Sequence, residues 1–157
     1  MKRRTAETLA PYLGRDLRLD YAWGQGFFED ADLETARTSG GLKDLAVTDS
    51  IEAFTQAVAN RLKTRKGELA PLGHPDYGSR HHELLGEPNV ERTRNLIKLY
   101  ILQALKHEPR IERVLKATVL AEHEPPRETV RIELSVQLID GPRPVNLVVP
   151  FSLEPRP

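Results

Sequence analysis

The sequence predicts an α+β fold in which helices pack on one face of a small antiparallel β-sheet. Between residues 49 and 105, apolar residues recur at the spacing of amphipathic α-helices. From residue 130 onward they alternate with polar residues, as in half-buried strands. A chain of 157 residues can bury roughly two thirds of its unfolded surface, so we expect one main domain.

Charge and composition exclude several classes of protein. The 23 basic and 23 acidic side chains cancel, so net charge gives no attraction for nucleic acid or an anionic membrane. The absence of cysteine excludes disulfides, thiolate zinc sites and cysteine nucleophiles. No apolar run approaches the ~20 residues of a membrane span, and "MKRRTAETLAPYLG" lacks the apolar core of a secretory signal. We expect a protein made and retained in the cytosol at least until assembly, with no nucleic-acid or membrane partner.

The first helix follows an N-terminal part with a weaker pattern, in which residues 16–23 alternate as a short strand would. Asp49 and Glu52 have the spacing of a capping box, and Gly67 is the expected C-cap. Four residues form the apolar stripe of this helix: Ile51, Phe54, Val58 and Leu62. Residues 66–80 then form a long connection, which we expect to be ordered because compact domains seldom keep such loops without a use.

A second helix begins after Asn89, its expected N-cap, and ends before Pro109, which has no backbone N–H to donate. Its apolar residues cover most of its circumference: Leu96, Ile97, Leu99, Tyr100, Ile101, Leu102 and Leu105. Such a helix must be covered on more than one side, either within the domain or by a partner.

Three strands complete the pattern. Residues 114–123 form the first strand, and residues 130–138 form a second strand with one apolar face. A turn at Asp140-Gly141-Pro142 leads to a third strand, so an antiparallel hairpin is expected. The apolar positions of this third strand are Val145, Leu147, Val149 and Phe151.

The histidines do not predict a metal centre. A zinc site needs three or four converging ligands, and adjacent His81 and His82 on a helix would point about 100° apart. We interpret His74, His81 and His82 as surface or interface residues and expect neither a metal nor a cofactor.

Catalytic motifs are absent from the sequence: it contains no G-x-S-x-G, no P-loop and no dinucleotide fingerprint. A glycosidase needs two carboxylates about 5–9.5 Å apart across a cleft. The acids around the long connection are Glu68, Asp76, Glu83 and Glu87, and none is singled out as buried. Solvated surface acids are the better interpretation, and no small-molecule substrate is expected.

The most suggestive short motif is Glu108-Pro109-Arg110, at the corner between the second helix and the first strand. One interpretation is a helix stop flanked by two surface charges. In the other, the proline fixes the corner, and Arg110 makes a bidentate contact with a carboxylate on another chain. A rigid polar corner of this kind suits docking better than catalysis.

The order of these parts resembles a known family. The resemblance depends on four segments: "LAVTDSIEAFTQAVANRLKTRKGEL", "PDYGSR", the helix ending in "HEPRI", and the strands ending in "VVPFSLEP". Together, from about Leu45 to Pro155, they resemble the baseplate-wedge family of contractile phage tails, also labelled GPW-type or "lysozyme-like". That family includes baseplate subunits of type VI secretion and of extracellular contractile injection systems.

The resemblance implies a non-enzymatic structural subunit in each wedge of a sixfold baseplate, with residues 45–157 as the wedge domain. It implies that Glu108, Pro109 and Arg110 dock on wedge-core proteins. It also implies that the strand carrying Val145, Leu147, Val149 and Phe151 contacts the sheath protein by strand addition and initiates sheath assembly.

Two departures from the family pattern lie at the N-terminus and at His81. Residues 1–44 fall outside the resemblance and are interpreted as an extension or arm that orders on assembly. His81 stands where an apolar side chain is expected. A muramidase-like peptidoglycan hydrolase and an adaptor for a regulator or chaperone remain the alternatives, and a phage tail, a type VI apparatus and a released particle all fit the sequence.

Overall fold

The computed structural model describes residues 12–21, 31–122, 128–139, 141 and 143–154. Its N-terminal part is built from short antiparallel strand pairs. The paired strands are β1 (Arg15–Leu17) with β6 (Val47–Asp49), β2 (Leu19–Tyr21) with β3 (Ala31–Leu33), and β4 (Thr35–Arg37) with β5 (Lys43–Leu45).

The three strand pairs meet at a ring of backbone hydrogen bonds. Arg18 N–H donates to the carbonyl of Ala46 at 2.8 Å, Ala46 N–H to that of Glu34 at 2.8 Å, and Glu34 N–H to that of Arg18 at 3.0 Å. The single strand predicted over residues 16–23 is therefore wrong, because the chain changes partner at Arg18. The last two residues of that predicted strand, 22 and 23, lie outside the described residues.

Helix α1 (Ser50–Lys63) follows directly and buries Phe54, Val58 and Leu62, as its apolar spacing predicts. Ile51 departs from the predicted stripe because 43% of it is exposed. The N-cap residue is the predicted one, but the capping interactions and the C-terminal end differ from the prediction. Asp49 is the N-cap residue, but its side chain makes no capping hydrogen bond, and the helix ends at Lys63, well before Gly67. Glu52 instead accepts hydrogen bonds from Arg18 and Thr48, so it does not complete a capping box.

The long connection is described throughout and contains two short 3₁₀ helices, Ala70–Leu72 and Arg80–Leu84. It returns to the end of α1, where Ser79 N–H donates to the Thr64 carbonyl at 2.9 Å and Lys66 N–H donates to the Ser79 carbonyl at 3.1 Å. Gly78 makes this approach possible. Its φ is +94°, and a Cβ there would lie 2.6 Å from the Arg65 carbonyl oxygen.

Helix α2 (Glu91–Leu105) has Val90, not the predicted Asn89, as its N-cap residue. Ile97, Ile101 and Leu105 are buried in the common core. Leu99 is 47% exposed, so part of the apolar surface of this helix is not covered within the described chain, and its cover by a partner stays a prediction. Neither helix in the described part of the chain is long and apolar enough to cross a membrane.

The main sheet has the order β7-β8-β9, with all pairings antiparallel. Its strands are β7 (Ile111–Ala121), β8 (Thr129–Leu138) and β9 (Val145–Ser152). Alternate residues of β8 and β9 pack into one core with residues from both helices. The predicted α+β fold is confirmed. The first and last residues of the predicted hairpin turn, 140 and 142, lie outside the described residues.

Candidate functional site

Glu108 and Arg110 pair with each other across Pro109. Arg110 donates from Nε to Glu108 Oε1 at 2.6 Å and from Nη2 to Oε2 at 3.0 Å. Only 4% of Glu108 is exposed, whereas Pro109 lies on the surface. The bidentate contact that the sequence suggests with another chain is thus made within this chain.

Further contacts join this pair to distant parts of the chain. Arg110 Nη1 donates to the Leu13 carbonyl at 3.0 Å, and Arg61 Nη2 lies 3.8 Å from Glu108 Oε2. The Arg61 guanidinium also lies over the Tyr77 ring, 4.5 Å from its centroid. We call these five residues the Glu108 cluster. The cluster connects the N-terminal segment, α1, the long connection and the corner before β7.

Sequence reasoning missed Arg61, Tyr77 and Leu13 as members of the cluster. One signal was present: Arg61 follows Phe54 by seven residues, which places both on the same helix face. An arginine on a face that also carries a core residue indicates a buried acidic partner. The position of that partner depends on tertiary structure, so helical spacing alone could not identify it.

The charge state of the cluster follows from its contacts. Burial alone would raise the pKa of Glu108, but hydrogen bonds and charge from Arg110, together with the charge of Arg61, lower the pKa below its ordinary value. Hydrogen bonding to Glu108 raises the pKa of Arg110. Glu108 is therefore held as a carboxylate at neutral pH, which is the reverse of what a general acid needs.

The predicted sheath-contact residues of β9 direct their side chains into the core. Val145, Leu147, Val149 and Phe151 are all buried. What β9 offers to a partner is its backbone, because in the described residues it pairs with no strand other than β8.

The direction of the free backbone groups follows from the ladder. Leu153 N–H donates to the Glu128 carbonyl, in register with the β8–β9 pairing. Because these directions alternate along an antiparallel strand, the N–H groups of Asn146 and Val148 point away from β8. The backbone nitrogen of Pro150 also faces away from β8, but it carries no hydrogen to donate. This position is typical of prolines on edge strands.

A groove lies beside this open edge. It separates β9 from α1 and the N-terminal strands and has a volume of about 450 Å³. We call it the edge groove, and its walls include Arg18, Leu19, Ile51, Thr55, Ala59 and Val148. Sequence reasoning did not predict it, because it depends on how the N-terminal strands pack against α1.

His81 is a core residue and not the surface or interface histidine that the sequence suggested. It is 2% exposed, its Nδ1 lies 2.8 Å from Ser79 Oγ, and its ring packs edge-on against Phe151 at a centroid distance of 4.4 Å. The ring of His82 lies only 4.2 Å away, although helical geometry predicted divergent directions. Burial, and then the neighbouring His82, lower the pKa of His81 to about 3.

Replacing His81 with leucine is expected to reduce the acid sensitivity of the fold. Unfolded histidine titrates near pH 6.5, whereas folded His81 titrates near pH 3. Protons therefore favour the unfolded chain between these values, and wild-type stability falls by up to about 1.4 kcal/mol per pH unit as the pH is lowered from 6.5. Urea unfolding at pH 7 and pH 5 measures this slope. An unchanged slope in His81→Leu would contradict the assignment.

The acids considered for hydrolysis lie on the surface. Glu68, Asp76, Glu83 and Glu87 are exposed, and Asp76 and Glu83 face Lys66 and Arg80, respectively. Among the described residues, no three histidine, aspartate or glutamate side chains converge where they could hold a metal ion.

Comparisons with known proteins agree with this architecture. Residues 48–143 match the family described as baseplate wedge protein gp25. A crystal structure from Geobacter sulfurreducens, described as a provisionally assigned tail lysozyme, has a TM-score of 0.56 and 26% sequence identity to this chain. The similarity covers 64% of this chain and 88% of that one. No curated protein matches the chain significantly.

The fold is that of a small α+β protein with an open sheet edge and an internal ion-pair corner. The family match spans well over half of the sequence, so the chain belongs to the baseplate wedge protein gp25 family. This confirms the resemblance predicted from the helix, loop and strand motifs. Family membership makes the chain a structural protein of a phage-type tail baseplate.

Proposed function

We propose that this protein joins the baseplate wedge to the sheath of a contractile injection machine and initiates sheath assembly. The open edge of β9 carries the proposal, because an assembly protein can use unpaired backbone groups as a template for a neighbouring strand. In this account the subunit is made in the cytosol and then incorporated into a sixfold baseplate. A phage tail, a type VI apparatus and a released particle would all use it in this way.

In the proposed sheath contact, an extended segment of the sheath protein pairs with β9. Asn146 and Val148 offer outward N–H and carbonyl groups, while Pro150 offers only its carbonyl oxygen. The side chains of Val145, Leu147, Val149 and Phe151 support the strand from the core side. The proline therefore limits the registers in which a partner strand can pair.

We propose that Glu108-Pro109-Arg110 is the docking corner for wedge-core proteins. The internal ion pair holds the corner in one conformation, with Pro109 exposed and Arg110 partly exposed at its surface. A preformed corner loses little conformational freedom on binding, which favours association. The cluster thus serves docking by fixing the shape of the corner, while its buried carboxylate stays inside the subunit.

Replacing Val148 with proline is expected to weaken binding of the sheath protein strongly. Val148 is 57% exposed and its N–H points away from β8, so the change removes an edge donor without removing a bond of the internal ladder. Calorimetry should give a dissociation constant for the sheath protein at least about tenfold higher than that of the wild type. Circular dichroism should show an unchanged fold.

Val148→Ala is the matched control, because it shortens the same side chain but keeps the N–H group. It should bind the sheath protein almost as well as the wild type does. Equal binding by Val148→Pro would exclude the β9 edge as the sheath contact. Failure of the wild-type protein to bind would count against the sheath-joining function itself.

A muramidase-like hydrolase is the alternative, favoured by the description of the similar Geobacter protein as a tail lysozyme. The described acids support the structural proposal instead. Glu108 is the buried acid, and Arg110 and Arg61 favour its charged form, so it is a poor proton donor near neutral pH. Release of soluble fragments from purified peptidoglycan, lost on replacement of a single acid, would support the hydrolase.

A further inference from the structure

An exposed aromatic residue from the N-terminal segment lies beside the docking corner. The Tyr12 hydroxyl donates a hydrogen bond to the Pro109 carbonyl at 3.4 Å, although the two residues are 97 positions apart in the chain. Tyr12 is 42% exposed, Pro109 is exposed and Arg110 is partly exposed. The fold therefore brings three accessible side chains together, and Tyr12 is the one that lies outside the residues matching the family.

The backbone that follows Tyr12 is fixed in place by the corner and by α1. Leu13 is 1% exposed and packs in the hydrophobic core, and its carbonyl accepts the hydrogen bond from Arg110 Nη1. The Gly14 carbonyl accepts a hydrogen bond from the Ser50 N–H at 3.2 Å, at the start of α1. Tyr12 is thus presented on a backbone that loses little conformational freedom when a partner binds.

The chemistry of Tyr12 suits a protein contact. Tyrosine and arginine are enriched among the residues that carry most of the binding energy at protein interfaces. The ring offers a large apolar area, and its hydroxyl already has the Pro109 carbonyl as a partner, so burying the ring leaves no unpaired polar group. In the described residues the core takes the side chain of Leu13 from this segment and not that of Tyr12.

The charges beneath this surface indicate which group of a partner would meet it. Within the Glu108 cluster, Arg61 and Arg110 supply two positive charges against one carboxylate. Arg110 donates once from Nε, once from Nη1 and once from Nη2, so each Nη keeps a second N–H with no acceptor among the described residues. A carboxylate on the partner would complement both the excess charge and these N–H groups.

We infer that Tyr12, Pro109 and Arg110 form one docking surface, with the Tyr12 ring as its apolar anchor. The wedge-core partner places an apolar side chain against this ring and a carboxylate beside Arg110. This inference rests on the proposed docking role of the corner. It adds a contact residue from outside the family match and the chemistry of the partner groups that the surface recognises.

Tyr12→Ala tests the inference, with the wedge-core protein that co-purifies with the wild type as the binding partner. Calorimetry should give a dissociation constant at least about tenfold higher than that of the wild type, whereas Tyr12→Phe, which keeps the ring, should stay within about threefold. The matched control is Leu17→Ala, since Leu17 is 41% exposed in the same segment but pairs with Val47. It should change the dissociation constant less than about twofold. Thermal unfolding midpoints of all three variants should lie within about 2 °C of the wild type.

Salt tests the carboxylate of the partner. Raising the NaCl concentration from about 0.1 M to about 0.5 M should weaken binding of the wild type severalfold, because salt screens the charges. Tyr12→Ala should show the same salt dependence, since it keeps Arg110. An unchanged dissociation constant of the wild type would exclude the carboxylate.

The outcomes separate this inference from the docking function. If Arg110→Ala lost the partner but Tyr12→Ala bound it normally, the inference would be overturned and the corner would remain the docking site. Equal weakening by Leu17→Ala and Tyr12→Ala would also overturn it, because the N-terminal strands and not the Tyr12 ring would then be responsible. If no wedge-core protein bound the wild type, the docking function would fail together with the inference.

Discussion

Replacing Arg110 with alanine should destabilise the fold by about 3–5 kcal/mol, the cost typical of removing one partner from a buried ion pair. The substitution leaves the Glu108 carboxylate buried, with Arg61 Nη2 at 3.8 Å as its remaining cation among the described residues, and also removes the hydrogen bond to the Leu13 carbonyl. Urea unfolding of both proteins at pH 7 measures the difference in the free energy of unfolding.

The exposed pair formed by Arg80 and Glu83 is the matched control. It has nearly the same bidentate geometry, with distances of 3.0 and 2.9 Å, but both side chains are solvated. Arg80→Ala should therefore leave stability almost unchanged, because water screens the pair. Equal effects of Arg80→Ala and Arg110→Ala would contradict the structural role of the Glu108 cluster.

Lowering the pH should reduce the difference in the free energy of unfolding between the wild type and Arg110→Ala. The pKa of Glu108 is lowered in the folded state, so its stabilising contribution is complete above the unfolded glutamate pKa and is lost as pH falls through the folded pKa.

The Arg110→Ala protein, where it folds, also tests docking, because we expect it to lose co-purification with wedge-core proteins. If a folded Arg110→Ala protein assembled normally, the docking role of the corner would be excluded. Residues 108–110 would then only end the helix.

Replacing Gly78 with alanine should destabilise the fold by about 4 kcal/mol or more, an exceptional effect for one methyl group. The new Cβ would lie 2.6 Å from the Arg65 carbonyl oxygen and 2.7 Å from that of Thr64. Both neighbours are backbone atoms that cannot rotate away, and φ is +94°. The long connection would have to separate from the end of α1, which would also displace Tyr77 from Arg61. Thermal and urea unfolding measure this effect.

Gly67→Ala separates the clash from the backbone strain. Gly67 has φ of +86° in the same connection, but a Cβ there would meet nothing within 4 Å. Its substitution should cost only about 1–2 kcal/mol, the usual penalty for a left-handed conformation. If the two variants were equally stable, the close return of the connection onto α1 would be wrong.

The elements of the fold were predictable where periodicity is strong. Val130, Ile132 and Leu134 alternate without interruption in β8, and Phe54 and Val58 repeat at helical spacing in α1. Asp49 is the N-cap residue of α1 as predicted, but the predicted capping box does not form, because local spacing does not decide which partner a side chain finds. Glu52 has capping-box spacing, yet Arg18 and Thr48 bind it instead.

The candidate sites were only partly predictable, for a similar reason. The motif Glu108-Pro109-Arg110 identified the corner, but the burial of Glu108 and the approach of Arg61 depend on long-range packing. The family pattern also indicated that His81 replaces an apolar residue. That substitution is consistent with its burial against Phe151, even though general experience of histidines favoured the surface.

Electron cryomicroscopy of the assembled particle tests the central claim most directly. The account predicts one additional strand hydrogen-bonded to the outer edge of β9 in each wedge. This strand should belong to a sheath subunit and pair with Asn146 and Val148. A β9 edge that faces solvent in the assembled baseplate, or that is covered by a chain other than the sheath protein, would contradict the account.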